Sequence, residues 1–169
     1  MARITYRGYN LPDGTEIPDV PADLQRLVDG IWSNSQQGRL LVLSQVTSTT
    51  GNFGTSDLVI PGLSIVLNAV AGRRYLIDFY APTAGSVTNA GYVNVGIFAG
   101  ATQIQFGRTT TAASVSSGSV IVRCIVQPGT ATVTYTARAN CLAGTANLAA
   151  SAQAPIQLAA YDLGLVTLP

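Results

Sequence analysis

Residues 130–138 alternate strictly, with Thr132, Thr134 and Thr136 on one side and Val133, Tyr135 and Ala137 on the other. A period of two fits a strand with one buried face and excludes a helix. The same period recurs along most of the chain after residue 38. In residues 92–99 Val93, Val95 and Ile97 share a face, and in residues 119–127 Val120, Val122, Cys124 and Val126 do. Ile121 and Ile125 make the second face of that last segment apolar too. This points to a central strand covered on both sides or to a subunit interface.

Further strands are expected at residues 40–47, 57–61, 63–70, 74–81, 103–106 and 156–161. Turn residues punctuate them: Pro61 and Gly62, a tight hairpin at Ala71 and Gly72, Gly100, and Pro128 and Gly129. Residues 47–56 and 109–119 are small and polar and read as exposed loops. Residues 142–154 are Ala-rich and read as a loop or short helix. Eight or nine short strands with such turns predict a mainly β chain, an antiparallel β-sandwich with a jelly roll as first choice. No repeat of 20–50 residues is visible, which argues against solenoids and propellers.

The composition shifts near residue 38. Asp13, Glu16, Asp19, Asp23 and Asp29 precede it, and so does the single Trp. The expected organisation is an N-terminal arm and helix over 1–38, for anchoring or oligomerisation, and a β domain over 39–169. Pro12, Asp13 and Gly14 signal a turn. Pro18 and Pro21 keep the chain extended before them, and Pro21 suits the first position of a helix. Leu24, Leu27, Val28, Ile31 and Trp32 then form one apolar stripe at helical spacing. Three turns are marginal in isolation, so the stripe must dock on its own β domain, on a second subunit or on another protein. Tyr6, Tyr9 and Trp32 are read as anchors of the arm in preference to a sugar-stacking platform.

Chemistry is sparse. The chain has no His and no Lys. This removes Ser-His and Cys-His pairs, Schiff bases and most zinc sites. Cys124 and Cys141 lack CxxC spacing and read as buried, inert thiols. The acidic positions 13, 16 and 19 do not match an EF-hand. No enzyme activity, cofactor or metal is expected. Asp78 shares a face with Leu76 and Tyr80, so its charge needs a partner from Arg74, Arg123 or Arg138. Asp57 and Asp162 flank strands and read as turn or solvent residues. Only 10% of residues are charged, against roughly 25% in an average chain. Such a surface suits cover by copies of itself or by a partner, and equally a Thr-rich β surface that needs few charges. There is no basic stripe for nucleic acid, no apolar run long enough to cross a bilayer and no leader with an apolar centre. Synthesis in a cytoplasm is expected.

The stretch Tyr9-Asn10-Leu11-Pro12-Asp13-Gly14, followed by Pro18-Asp19-Val20-Pro21-Ala22-Asp23-Leu24-Gln25-Arg26-Leu27, resembles the leader of many tailed-bacteriophage virion proteins, notably those of actinobacterial phages. Ala71-Gly72-Arg73-Arg74-Tyr75 and Ala160-Tyr161-Asp162-Leu163-Gly164 are similar to the β domains that follow such leaders. The resemblance implies a capsid decoration, head-fibre, minor tail or tail-fibre protein. It further implies a homotrimer on the virion surface, partnered by phage capsid or tail proteins. The alternative expectation is a β-sandwich module that binds a host-surface glycan or receptor, with Tyr80, Tyr92 or Tyr135 exposed in a groove.

Overall fold

The computed structural model describes residues 5–6, 9–10, 38–88, 91–110 and 116–165. Within them the chain is mainly β, in antiparallel sheets, and the described residues contain no helix. Two short strands, β1 (Thr5–Tyr6) and β2 (Tyr9–Asn10), pair with each other and place Tyr9 opposite Tyr6. Pro12, Pro18, Pro21, Leu24, Leu27, Val28, Ile31 and Trp32, and with them the expected helix, lie outside the described residues.

The remaining strands are β3 (Arg39–Val46), β4 (Leu58–Asn68), β5 (Arg73–Ala81), β6 (Thr83–Thr88), β7 (Tyr92–Ala99), β8 (Thr102–Thr110), β9 (Ser116–Ser117), β10 (Val120–Val126), β11 (Thr132–Cys141), β12 (Thr145–Ala149) and β13 (Ile156–Leu165). Four antiparallel pairs nest within one another: β3 with β13, β4 with β11, β5 with β10, and β7 with β8 innermost. The chain is thus a double ribbon that reverses at Gly100, whose φ of 59° favours glycine. Cross-pairings of β13 with β5 and of β11 with β7 fold the ribbon into two four-stranded sheets. The first has the order β10-β5-β13-β3 and the second β4-β11-β7-β8. In a smaller sheet, β12-β6-β9, β6 follows β5 and β12 follows β11, and its Ala84, Ala146 and Leu148 join the core.

Period-two alternation gives both sheets an apolar inner face. Tyr75, Ile77, Phe79, Leu158 and Ala160 of the first sheet share one core with Ile65, Leu67, Val93, Val95, Ile97 and Tyr135 of the second. Burying a large apolar side chain contributes roughly 1.5–3 kcal/mol. The sheets approach each other at both edges. Ser44 Oγ of β3 donates to the Gly62 carbonyl of β4 at 2.6 Å. At the other edge Gly107 of β8 lies so close to β10 that a Cβ there would stand 2.8 Å from Val122 Cγ2.

Several expectations are corrected. Ala71 and Gly72 do form a tight turn, with Arg73 N donating to the Val70 carbonyl. It is not a hairpin, because β4 and β5 belong to different sheets. The apolar second face of β10 does not mark a central strand, since β10 is an edge of its sheet. Residues 47–56 are not wholly exposed: Phe53 is 3% exposed and bridges Ala146 in both directions. Residues 142–154 contain β12.

Asp162 is the largest departure. It is 5% exposed, and Arg73 Nε donates to both its oxygens at 3.1 and 2.8 Å. The Gly164 amide donates to Oδ1 at 2.8 Å, and the Asp162 carbonyl accepts the Gly38 amide as the chain enters β3. Nearby, Val70 N donates to the Tyr75 hydroxyl at 2.8 Å. One end of the fold is therefore tied by a desolvated ion pair. A sequence reader sees an Asp near a strand end. The alternation that puts residue 162 on the inner face with 158 and 160 is the missed signal.

Two outcomes follow. Asp162→Ala leaves the Arg73 guanidinium buried without its counter-charge, and urea unfolding should show a loss of about 3–5 kcal/mol. Burial raises the pKa of both Cys124 and Cys141, although a hydrogen bond with the Ala143 backbone partly offsets it at Cys141. Burial, and then the Cys124 charge, raises that of Tyr135. Raised folded-state values mean that this stability is full below the ordinary thiol range and is lost as pH rises through it. The urea midpoint should fall between about pH 8.5 and pH 11, and Cys124→Ala with Cys141→Ala should flatten the decline.

Candidate interaction surfaces

With one alternate set of positions in each strand committed to the core, odd in β5, β7 and β11 and even in β10 and β13, the other set makes two outer faces of different chemistry. On the first sheet the register aligns three rows. Ile125, Leu76, Tyr161 and Leu40 form one; Arg123, Asp78, Ala159 and Leu43 the next; Ile121, Tyr80, Gln157 and Gln45 the third. Ile121 and Ile125 are 51% and 62% exposed on one edge strand, and Leu40 and Leu43 are exposed on the opposite edge strand. An outer sheet face normally alternates to polar residues. Here one ion pair and the Gln157–Gln45 pair interrupt a face that is otherwise aliphatic and aromatic: Arg123 Nε donates to Asp78 Oδ1 at 3.1 Å. Of the three partners considered for Asp78, Arg123 is the one in register with it. Arg138 lies on the other sheet, where its Nη2 donates to the Gly100 carbonyl at 2.9 Å. Arg74 follows Arg73 at the start of β5 and is exposed.

The outer face of the second sheet is polar and aromatic. Gly96 stands in register between Arg138 of β11 and Phe106 of β8. The Phe98 ring leans over it, 2.8 Å from where a Cβ would sit. The Arg138 guanidinium stacks on that ring at 4.2 Å, and the Arg108 guanidinium stacks on Tyr92 at 3.8 Å. Beside Gly96 lies a hollow of about 180 Å³, lined also by Asp57, Asn94, Phe98, Gln103, Phe106, Arg138 and Asn140. A directed chain of hydrogen bonds runs along it. Arg108 Nε donates to Asn94 Oδ1 at 2.8 Å, Asn94 Nδ2 to Asn140 Oδ1 at 2.7 Å, and Asn140 Nδ2 to Asp57 Oδ1 at 2.6 Å. A cation thus stands at one end of the chain and an anion at the other, and each amide is held in one orientation.

The three carboxylates of the β domain do not converge. Asp162 faces the core of the first sheet, Asp78 its outer face, and Asp57 the outer face of the second sheet. Each already accepts from a partner. Among the described residues no group of three His, Cys, Asp or Glu could hold a metal ion. Tyr135 is buried in the core, Tyr80 lies on the first sheet and Tyr92 lies under Arg108. These tyrosines do not form the groove expected for a receptor-binding module. The hollow is built from Asn, Gly, Phe and Arg, whose even positions on β7, β8 and β11 meet only through the register.

No family model matches the chain, and no curated protein does. A chain from the solved Bacillus endospore appendages, described as a novel family of disulfide-linked pili, aligns over 68% of this chain and 94% of its own. The two are 15% identical with a TM-score of 0.27.

Asn140 joins the two halves of the hydrogen-bond chain. Asn140→Ala should cost about 1–2 kcal/mol in urea unfolding, as two bonds are lost and one of them is charge-assisted. A double-mutant cycle with Asp57→Ala should return a coupling of at least about 0.5 kcal/mol.

Proposed function

We propose that this chain is a non-enzymatic structural protein of a bacteriophage virion surface, of the capsid decoration or minor tail and tail-fibre type. It works as a homotrimer attached through its N-terminal arm. The observation that carries the assembly is the outer face of the first sheet. At about 4.8 Å between strands and about 3.3 Å per residue, that face covers on the order of 400 Å². Apolar and aromatic side chains make up most of that face, and exposed apolar patches of a few hundred Å² occur where proteins meet. A stable interface takes roughly 800 Å² from each partner, so the face supplies about half. The apolar stripe of residues 24–32 is a suitable source for the rest. It leads through Gly38 into β3, which is an edge strand of that sheet. The second copy is favoured as occupant because Arg123 and Asp78 neutralise each other within the face, so this pair brings no net charge to repel an identical surface. The virion itself is inferred from the resemblance of residues 9–27 to phage leaders.

The nested pairs also support the finer fold reading, an eight-stranded jelly roll formed by winding one long antiparallel ribbon into a sandwich. That architecture serves shells and fibres by offering shape. On this reading the sparse chemistry of the chain is in keeping with a role without turnover.

Purified full-length protein should bind phage heads or tails that lack it, and Leu27→Asp with Ile31→Asp should abolish that binding while the β-type circular dichroism persists. Failure of the wild type to bind either structure at high concentration overturns the virion role. Global unfolding of the variant would show that the stripe belongs to the core of its own domain and does not serve as an anchor.

A further inference from the structure

We infer that the hollow over Gly96 is a saccharide-binding site for a single neutral sugar ring. The inference is independent of the assembly described above, since it concerns the opposite sheet.

Four features lead to that ligand class. The first is the Phe106 ring, 52% exposed at the mouth of a hollow whose other linings are largely polar. An exposed aromatic face beside fixed polar groups matches the apolar C–H face and hydroxyl rim of a pyranose. The second is the locked pair of Asp57 and Asn140, 2.6 Å apart. Asp57 Oδ2 remains to accept a hydroxyl proton, and the second N–H of Asn140 remains to donate to the neighbouring hydroxyl oxygen. Adjacent hydroxyls of a sugar present this donor and acceptor side by side.

The third feature is pre-organisation. Arg108 orients Asn94, Asn94 orients Asn140, and the Arg138 guanidinium is fixed by Phe98 and the Gly100 carbonyl. Its Nε is buried without a hydrogen-bond partner, which limits it to shaping the wall. Little side-chain freedom is then lost on binding. The fourth is charge and size. Asp57 offsets Arg138 within the hollow, which disfavours phosphate or nucleotide ligands. About 180 Å³ is below the roughly 300–1,000 Å³ of sites for larger molecules. One ring held by one aromatic and a few hydrogen bonds binds weakly, so several sites on one particle are what would make the contact useful.

The test is an amide NMR titration of the full chain. Glucose, galactose, mannose, rhamnose, N-acetylglucosamine and N-acetylgalactosamine are each added to near their solubility limits. At least one should saturably shift the side-chain amides of Asn94, Asn140 and Gln103 and the backbone amides of Gly96 and Phe106. Phe106→Ala and Asp57→Asn should each weaken that sugar by about ten-fold or more, whereas Ile125→Lys on the first sheet should leave it unchanged. The inference is overturned if no sugar gives saturable shifts, if the shifts map away from the hollow, or if Phe106→Ala binds as the wild type does.

Discussion

The nesting of antiparallel pairs governs the rest of the structure. Once β7 and β8 turn back at Gly100, every later strand returns beside an earlier one: β10 to β5, β11 to β4 and β13 to β3. Each return must keep its apolar residues on the same side as its partner's, because a slip of one residue would turn the whole strand inside out. The buried Arg73–Asp162 pair fixes this register where β5 meets β13. It lies at the end where the chain enters β3 and turns from β4 into β5. Charges in that position stabilise little in net terms, but removing one partner is costly, so the contact acts as a lock on alignment.

With the core committed in this way, the outer faces are left to carry function, and they divide it. The first sheet presents Ile and Leu around one ion pair, a chemistry for a flat, dry contact. The second presents aromatic rings, amides and one carboxylate around a glycine, a chemistry for a small polar ligand. A particle component that packs through one face and offers the other to its surroundings would use both. That arrangement is the account we propose for this chain.

Much of the β pattern was legible, because strands β5, β7, β10 and β11 carry their apolar residues at every second position. Strand β6 was not legible. Thr83, Ala84, Gly85, Ser86, Val87 and Thr88 show no hydrophobic period. The local appearance of a tight turn at Ala71 and Gly72 was correct, but whether its strands pair or part depends on β11 and β13, far along the chain. The hollow was illegible for a related reason. Asn94, Phe106, Arg138 and Asp57 are unremarkable singly, and only the pairing of β11 with β7 and of β7 with β8 assembles them.

The central claim is that the outer face of the first sheet is covered by further copies of the chain. Sedimentation equilibrium of the full-length protein, compared with an Ile121→Lys, Ile125→Lys variant, tests it most directly. The account expects the wild type at three times the 17.5 kDa of one chain and the variant shifted toward a single chain with its fold intact. A wild type that stays at 17.5 kDa across the accessible concentrations, or a variant that assembles as the wild type does, would contradict it.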